Sequence, residues 1–242
     1  MNTVLFDLDG TLLPMEQKTF LSPYFRGLAA FAASVVPDAK RLLAEVWAGI
    51  DVMEQPRETL TNEEAFWRHM SEQFGAGAAD ELLRLWDVFY REEFPRLQNG
   101  VSPTPRANAC VKLLRAKGYR VVLATNPVFP RAATLARMAW AGLDTADFAE
   151  ITTYEDYHAG KPFPAYYEEV LHRIGRRPAD CLMVGNDVQE DMVAAEAGLS
   201  VFLLTDCLID RADTDLTRYP HGDFDALTAY LSALPPAEEK GR

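Results

Sequence analysis

Cysteine is scarce in this chain. Cys110, Cys181 and Cys207 are an odd number among 242 residues and show no metal-ligand spacing. That excludes a disulfide framework and a cysteine-built zinc site, and leaves the expectation of free, mostly buried thiols in a reducing compartment. Histidine is equally sparse, and the four residues His69, His158, His172 and His221 are too scattered to form a ligand set. Long apolar runs are missing: none approaches the ~18 to 20 residues that a membrane span needs. Met1 leads straight into a strand-like segment rather than into a secretory leader, so a cytoplasmic protein without a membrane partner is expected. Positive charge is in deficit. Lys and Arg number 24 against 36 Asp and Glu, a net charge of −12, which argues against nucleic acid as a partner. No repeat or low-complexity tract stands out, and residues 235–242 read as a polar tail. With 48% hydrophobic and 25% charged residues, the chain can bury a proper core and fits one or two domains.

What is present alternates. Apolar strands are predicted over residues 4–8, 120–124, 150–153, 181–185 and 201–204. Helical segments are predicted over 105–116, 130–141, 163–174, 189–197 closed by Gly198, and 224–234. Strand-helix alternation with apolar strands implies an α/β fold: a Rossmann-like parallel sheet covered by helices on both faces. Sites in such sheets lie at the carboxyl ends of the strands. Asp7, Thr125 and Asp187 each fall at or just past such an end.

The stretch between the first two strands is too long for a crossover, and residues 15–98 read as almost wholly helical. Helices are expected over 22–35, 38–53, 62–74 after the capping-box signal Thr61-Asn62-Glu63-Glu64, and 80–91. The expected division is a core of residues 1–14 and 99–242 and a helical insert of residues 15–98, with linkers at 13–16 and 101–105. The insert's Phe66, Trp67, Phe74, Trp86, Phe89 and Tyr90 recur at helical spacing and are expected to form its core. Phe20, Tyr24 and Phe25, nearer the linkers, are candidates to face a ligand. Arg26, Arg41, Arg57 and Arg68 are candidate substrate contacts, and the segment 205–222 is expected to be a long loop that borders the site or is plain surface.

The most informative stretch is Thr3-Val4-Leu5-Phe6-Asp7-Leu8-Asp9-Gly10-Thr11. At strand periodicity Asp7 and Asp9 point to the same side, and unpaired buried carboxylates are costly. Two like charges so close resist joint ionisation, so a positive group, most simply a metal ion, is expected between them. Three further segments follow in order: Val121-Val122-Leu123-Ala124-Thr125-Asn126-Pro127, then Gly160-Lys161-Pro162, then Met183-Val184-Gly185-Asn186-Asp187-Val188-Gln189-Glu190-Asp191.

Together these resemble the four signature motifs of the haloacid dehalogenase-like superfamily, in its phosphatase branch with a helical cap after the first motif. The resemblance spans residues 2–198. It implies a Mg²⁺-dependent phosphatase acting on a small phosphorylated metabolite through an aspartyl-phosphate. Asp7 is then the nucleophile and Asp9 the general acid and base. Thr125, Asn126 and Lys161 hold the phosphate. Asp7, Asp9 through its carbonyl and Asp187 hold the metal directly, and Asp191 supports it through water or from behind the direct ligands. Asn186 stands where many relatives carry Asp, which leaves open how the metal's ligands divide among Asn186, Asp187 and Asp191. Residues 15–98 become the cap, and a monomer or homodimer is expected.

Alternatives remain open at this level. Phosphosugar mutases share the cap and the second acid. Haloacid dehalogenases lack that acid, and Asp9 argues against them. A phospho-accepting signalling module is about half this length and has no cap.

Overall fold

A period of two along each strand sorts the apolar side chains onto two faces of one sheet. The computed structural model describes residues 1–237, and six strands in it form that sheet: β1 (Thr3–Phe6), β2 (Arg120–Leu123), β3 (Glu150–Ile151), β4 (Cys181–Gly185), β5 (Ser200–Leu204) and β6 (His221–Gly222). Their order is β3-β2-β1-β4-β5-β6, and every pairing is parallel. β1 lies centrally, with Val4 beside Val121 on one side and Leu182 on the other. Its continuous apolar run is what a strand covered on both faces requires.

One face carries Phe6, Leu123, Val184 and Phe202 against α5 (Pro105–Ala116), α6 (Arg131–Trp140) and α8 (Phe224–Ala233). The other carries Leu5, Val122, Met183 and Leu203 against Tyr166, Tyr167 and Val170 of α7 (Pro164–Ile174). α7 starts with Pro at its first position and ends at Gly175, whose φ of 63° is the left-handed conformation that glycine adopts without strain.

Between β1 and α5 run four helices, α1 (Gln17–Ala32), α2 (Ala39–Glu54), α3 (Asn62–Phe74) and α4 (Ala76–Val88), the last continuing into a π-turn at Phe89–Glu93. The Thr61–Glu64 capping box is formed in both directions at 3.2 and 2.9 Å. Where the chain leaves the sheet and returns, Met15 pairs antiparallel with Val101, Glu16 N–H donates to the Gly100 carbonyl and Ser102 N–H to that of Pro14. A second seam joins the insert to the sheet: Gly160 N–H donates to the Glu54 carbonyl and Asn62 N–H to that of Tyr157, while Asn62 Nδ2 reaches the carbonyls of Pro127 and Ala159. The core on the α5/α6/α8 face therefore runs on into the insert through Phe20, Tyr24, Phe94 and Trp140.

Three expectations are corrected. The helix expected over 189–197 is reduced to one 3₁₀ stretch, Met192–Ala195. Asp187 Oδ1 takes the N–H groups of Gln189 and Glu190, and Asp191 Oδ2 takes that of Asp187; such side-chain bonds compete with a helical ladder. The segment 205–222 contains a 3₁₀ turn and ends in the sixth strand, which pairs with β5. Within the expected tail, Pro235 accepts from the Tyr119 hydroxyl and Ala237 N–H donates to Lys117, so residues 235–237 are tied to the sheet side; residues 238–242 lie outside the described residues.

Candidate functional site

Asp7 continues the line of β1, its N–H donating to Val184, and Asp9 follows before the turn at Gly10. Gly10 has φ +86° and faces Asn186 so closely that a Cβ there has no room. Gly185 is equally confined, by the Asp191 carboxylate. These two glycines let the β1 and β4 ends approach each other with polar groups packed between them. A cavity of about 260 Å³ opens above the strand ends, lined from the sheet side by Asp7, Asp9, Thr125, Asn126, Asn186, Asp187 and Asp191.

The buried charges are paired. Lys161, 1% exposed, donates to Asp7 Oδ1 at 2.8 Å and to Asp191 Oδ1 at 2.6 Å. Burial works against its ammonium, but Asp191 and Asp7 outweigh that and hold it well above the usual lysine range. Burial also pushes the Asp191 carboxyl up, with Lys161 pulling the other way. Both Asp191 oxygens carry a hydrogen bond, one from Lys161 and one from the Asp187 N–H.

Asn126 links three parts of the molecule. Its Oδ1 accepts from Lys161 N–H at 3.1 Å, and its Nδ2 donates to Glu54 of the insert at 2.9 Å. Thr125 is buried, and its carbonyl is held by the hydroxyls of Thr152 and Tyr166.

Three participants lay beyond sequence reasoning. Arg137, wholly buried on α6, is ion-paired with Asp9 Oδ2, donates to Thr134 Oγ1 and lies 4.2 Å from the Phe129 ring centroid. Burial raises the Asp9 carboxyl above its ordinary value, Arg137 acting in the opposite direction. The signal was present in part: Arg137 falls on the same helix face as Ala133, Thr134 and Met138, all buried. Arg211 donates to Asp187 Oδ1 at 2.9 Å, is ion-paired with Asp187 Oδ2 at 2.7 Å, and donates to Glu190. It comes from the 205–222 segment, so that segment borders the site; Ile209 N–H also donates to Asn186. Glu54 lies seven residues after Trp47 and four after Ile50, and all three line the cavity from α2.

Of the insert's expected contacts, Tyr24 and Phe25 line the cavity, while Phe20 packs inside against Phe94 and Trp140. The four arginines do not line it. Arg26 is exposed, Arg41 lies over Phe74, Arg57 donates to Asn62 and to the carbonyls of Val52 and His158, and Arg68 faces Glu72.

For a metal ion the donors are hard oxygens: the Asp7 and Asp187 carboxylates, the Asn186 amide carbonyl and backbone carbonyls. No group of three or more His, Cys, Asp or Glu side chains able to hold a metal is assembled among the described residues. Asp9 Oδ1 is a buried acceptor with no hydrogen-bond partner. This donor chemistry fits a dication that keeps several waters, as Mg²⁺ does, once Asp187 exchanges Arg211 for it.

A phosphoglycolate phosphatase of Yersinia pseudotuberculosis is 27% identical over 240 residues, spanning 97% of this chain and 91% of its own. In fold, a HAD phosphatase from Thermococcus onnurineus superposes with a TM-score of 0.60 at 20% identity, over 96% of this chain and 98% of that one. A dehalogenase crystal structure gives 0.55 at 16%, over 97% and 98%. The fold is thus shared by phosphatase and dehalogenase alike. The sequence model of the haloacid dehalogenase-like hydrolases matches residues 1–198, and the chain belongs to that family.

Proposed function

We propose that the protein is a Mg²⁺-dependent phosphatase that hydrolyses a small phosphorylated metabolite through an aspartyl-phosphate. The observation that carries this reading is the second carboxylate, Asp9, which shares a cavity with Asp7 and is clasped by the buried Arg137. A dehalogenase has no leaving alkoxide to protonate and no use for that group. The phosphatase relative points the same way.

In this reading Lys161 occupies Asp7 Oδ1, so Oδ2 attacks phosphorus. The Oδ2–P bond forms as the bond from phosphorus to the leaving oxygen breaks, and the Asp9 carboxyl gives that oxygen its proton. The raised proton affinity of Asp9 suits a donor. Water then attacks phosphorus, its proton passes to Asp9, and the Oδ2–P bond breaks to free phosphate. Thr125 and the Asn126 N–H bind phosphoryl oxygens, and the Lys161 ammonium offsets their charge. Mg²⁺ held by Asp7, the Asp9 carbonyl, Asp187 and Asn186 would neutralise the remaining phosphoryl charge. Residues 1–14 and 99–242 form the catalytic core and residues 15–98 the cap that closes over it, in a cytoplasmic monomer or homodimer.

The test is phosphate release from p-nitrophenyl phosphate and acetyl phosphate. Turnover is expected with Mg²⁺ and none in chelator. Asp7→Asn, which keeps shape but removes the nucleophile, should lose at least ~10³-fold in rate with unchanged near-ultraviolet circular dichroism. Retention of more than about a tenth of the rate overturns the covalent route.

A further inference from the structure

Among the described lining residues, the wall that the insert presents to the cavity carries no cation. Leu21, Phe25, Trp47 and Ile50 form it, with Val128 and Phe129 continuing it from the sheet side. Trp47 is 48% exposed and rests on Phe25 with ring centroids 5.0 Å apart. An indole left so open at the mouth of a polar cavity is not core filling. The polar groups on this wall are mostly spent: the Tyr24 hydroxyl is bonded to that of Tyr90 at 2.7 Å, and a Glu54 oxygen accepts from Asn126, leaving Gln17. The two arginines that reach the cavity are both held by carboxylates: Arg137 by Asp9, and Arg211 by Asp187 and by Glu190, which keeps it when Asp187 turns to a metal ion. A second anionic group on a substrate would meet an acidic or apolar surface there, with no free cation among the described lining residues.

Resting on the phosphatase reading, we propose that the leaving-group subsite takes an uncharged aromatic ring, stacked against Trp47 and Phe25, and discriminates against leaving groups that carry a carboxylate. Size agrees. A cavity of about 150 Å³ holds a benzene ring, so about 260 Å³ holds a ring and a phosphoryl group together. The substrate named for the Yersinia relative, phosphoglycolate, belongs to the disfavoured class.

Two non-hydrolysable probes read the subsite without turnover: benzylphosphonate and phosphonoacetate, titrated calorimetrically into the full chain with Mg²⁺ present. Benzylphosphonate is expected to bind at least about tenfold more tightly, the order of a single stacked ring. Trp47→Ala should reduce that ratio to within about threefold, and Trp47→Phe, which keeps a ring, should restore most of it. Equal or tighter binding of phosphonoacetate overturns the proposal, as does a ratio indifferent to Trp47→Ala or a failure of both probes to bind. Because the readout is binding, a protein that prefers benzylphosphonate yet releases no phosphate from any ester would refute the phosphatase reading alone.

Discussion

The two walls of the cavity are built on opposite plans. On the sheet side almost every polar group is committed: Lys161 to two carboxylates, Arg137 to Asp9, and Asp187 to Arg211 and two backbone N–H groups. On the insert side Trp47, half exposed, rests on Phe25, which in turn lies against Tyr24. The first wall is rigid because removing any buried charge strands its partner. The second tolerates change, because a half-exposed ring contributes little to folding. A site so divided keeps its chemistry fixed while its choice of ligand is free to drift.

The comparison breaks most visibly at Arg137. Arg137→Ala leaves the buried Asp9 carboxylate without its cation and should cost about 3–5 kcal/mol. For a chain of this size each kcal/mol is worth roughly 2–4 °C, so a fall in melting temperature on the order of 10 °C is expected in calorimetry. Arg137→Lys should recover part of it. Trp47→Ala measured beside it should shift the melting temperature far less. If the two variants melted together, the contrast between the walls would be wrong.

Glu54, where the walls meet, gives a middle effect. Glu54→Ala removes the bond to Asn126 that ties α2 to the loop after β2. KM for acetyl phosphate should rise a few-fold, in keeping with the loss of one hydrogen bond, and the Gly160 amide should exchange faster with deuterium. An unchanged KM together with an unchanged Gly160 exchange rate would make the seam passive.

The smallest effect belongs to Asp210, which anchors the Arg211 segment. Its carboxyl accepts from Gln189 and from the N–H groups of Ala212 and Thr214, and these bonds hold it down at about 2. A depressed folded value stabilises fully above the unfolded value of about 3.9 and stops doing so as pH falls through the folded one. Asp210→Asn should therefore melt slightly below the parent at neutral pH, and the gap should close as pH approaches about 2. A gap that persists or widens in acid would assign the effect to lost packing.

The sequence disclosed strand ends better than it disclosed partners. Asp7, Thr125 and Asp187 were legible because each follows an apolar strand whose parallel pairing fixes where it must end. The insert's helices were legible because their apolar stripes recur at helical spacing, and α3 even announces its start through Thr61 and Glu64. Arg137 was hidden, since its pairing depends on what α6 packs against, which no local pattern encodes. Arg211 was hidden more deeply, in a segment without periodicity. The 189–197 helix misled for a related reason: its sequence favours a helix, but Asp187 and Asp191 spend the needed N–H groups on their own side chains. The arginines of the insert misled through abundance, since most cations on a surface answer only to nearby acids or water.

The pairing of Met15 with Val101 has a topological consequence. Paired strands lie about 4.8 Å apart, so the insert leaves and re-enters the sheet through adjoining points. To the sheet, everything between them is the tip of a hairpin. Lengthening a tip, trimming it or replacing it outright leaves the register of β1 and β2 untouched, since neither strand senses the distance travelled outside. The entropy of closing that long loop grows only with the logarithm of its length. The lineage that carries this chain is thus at liberty to exchange its helical insert for another, provided the contacts of Glu54 and Asn62 with the sheet side are rebuilt, as a tool handle accepts a new head.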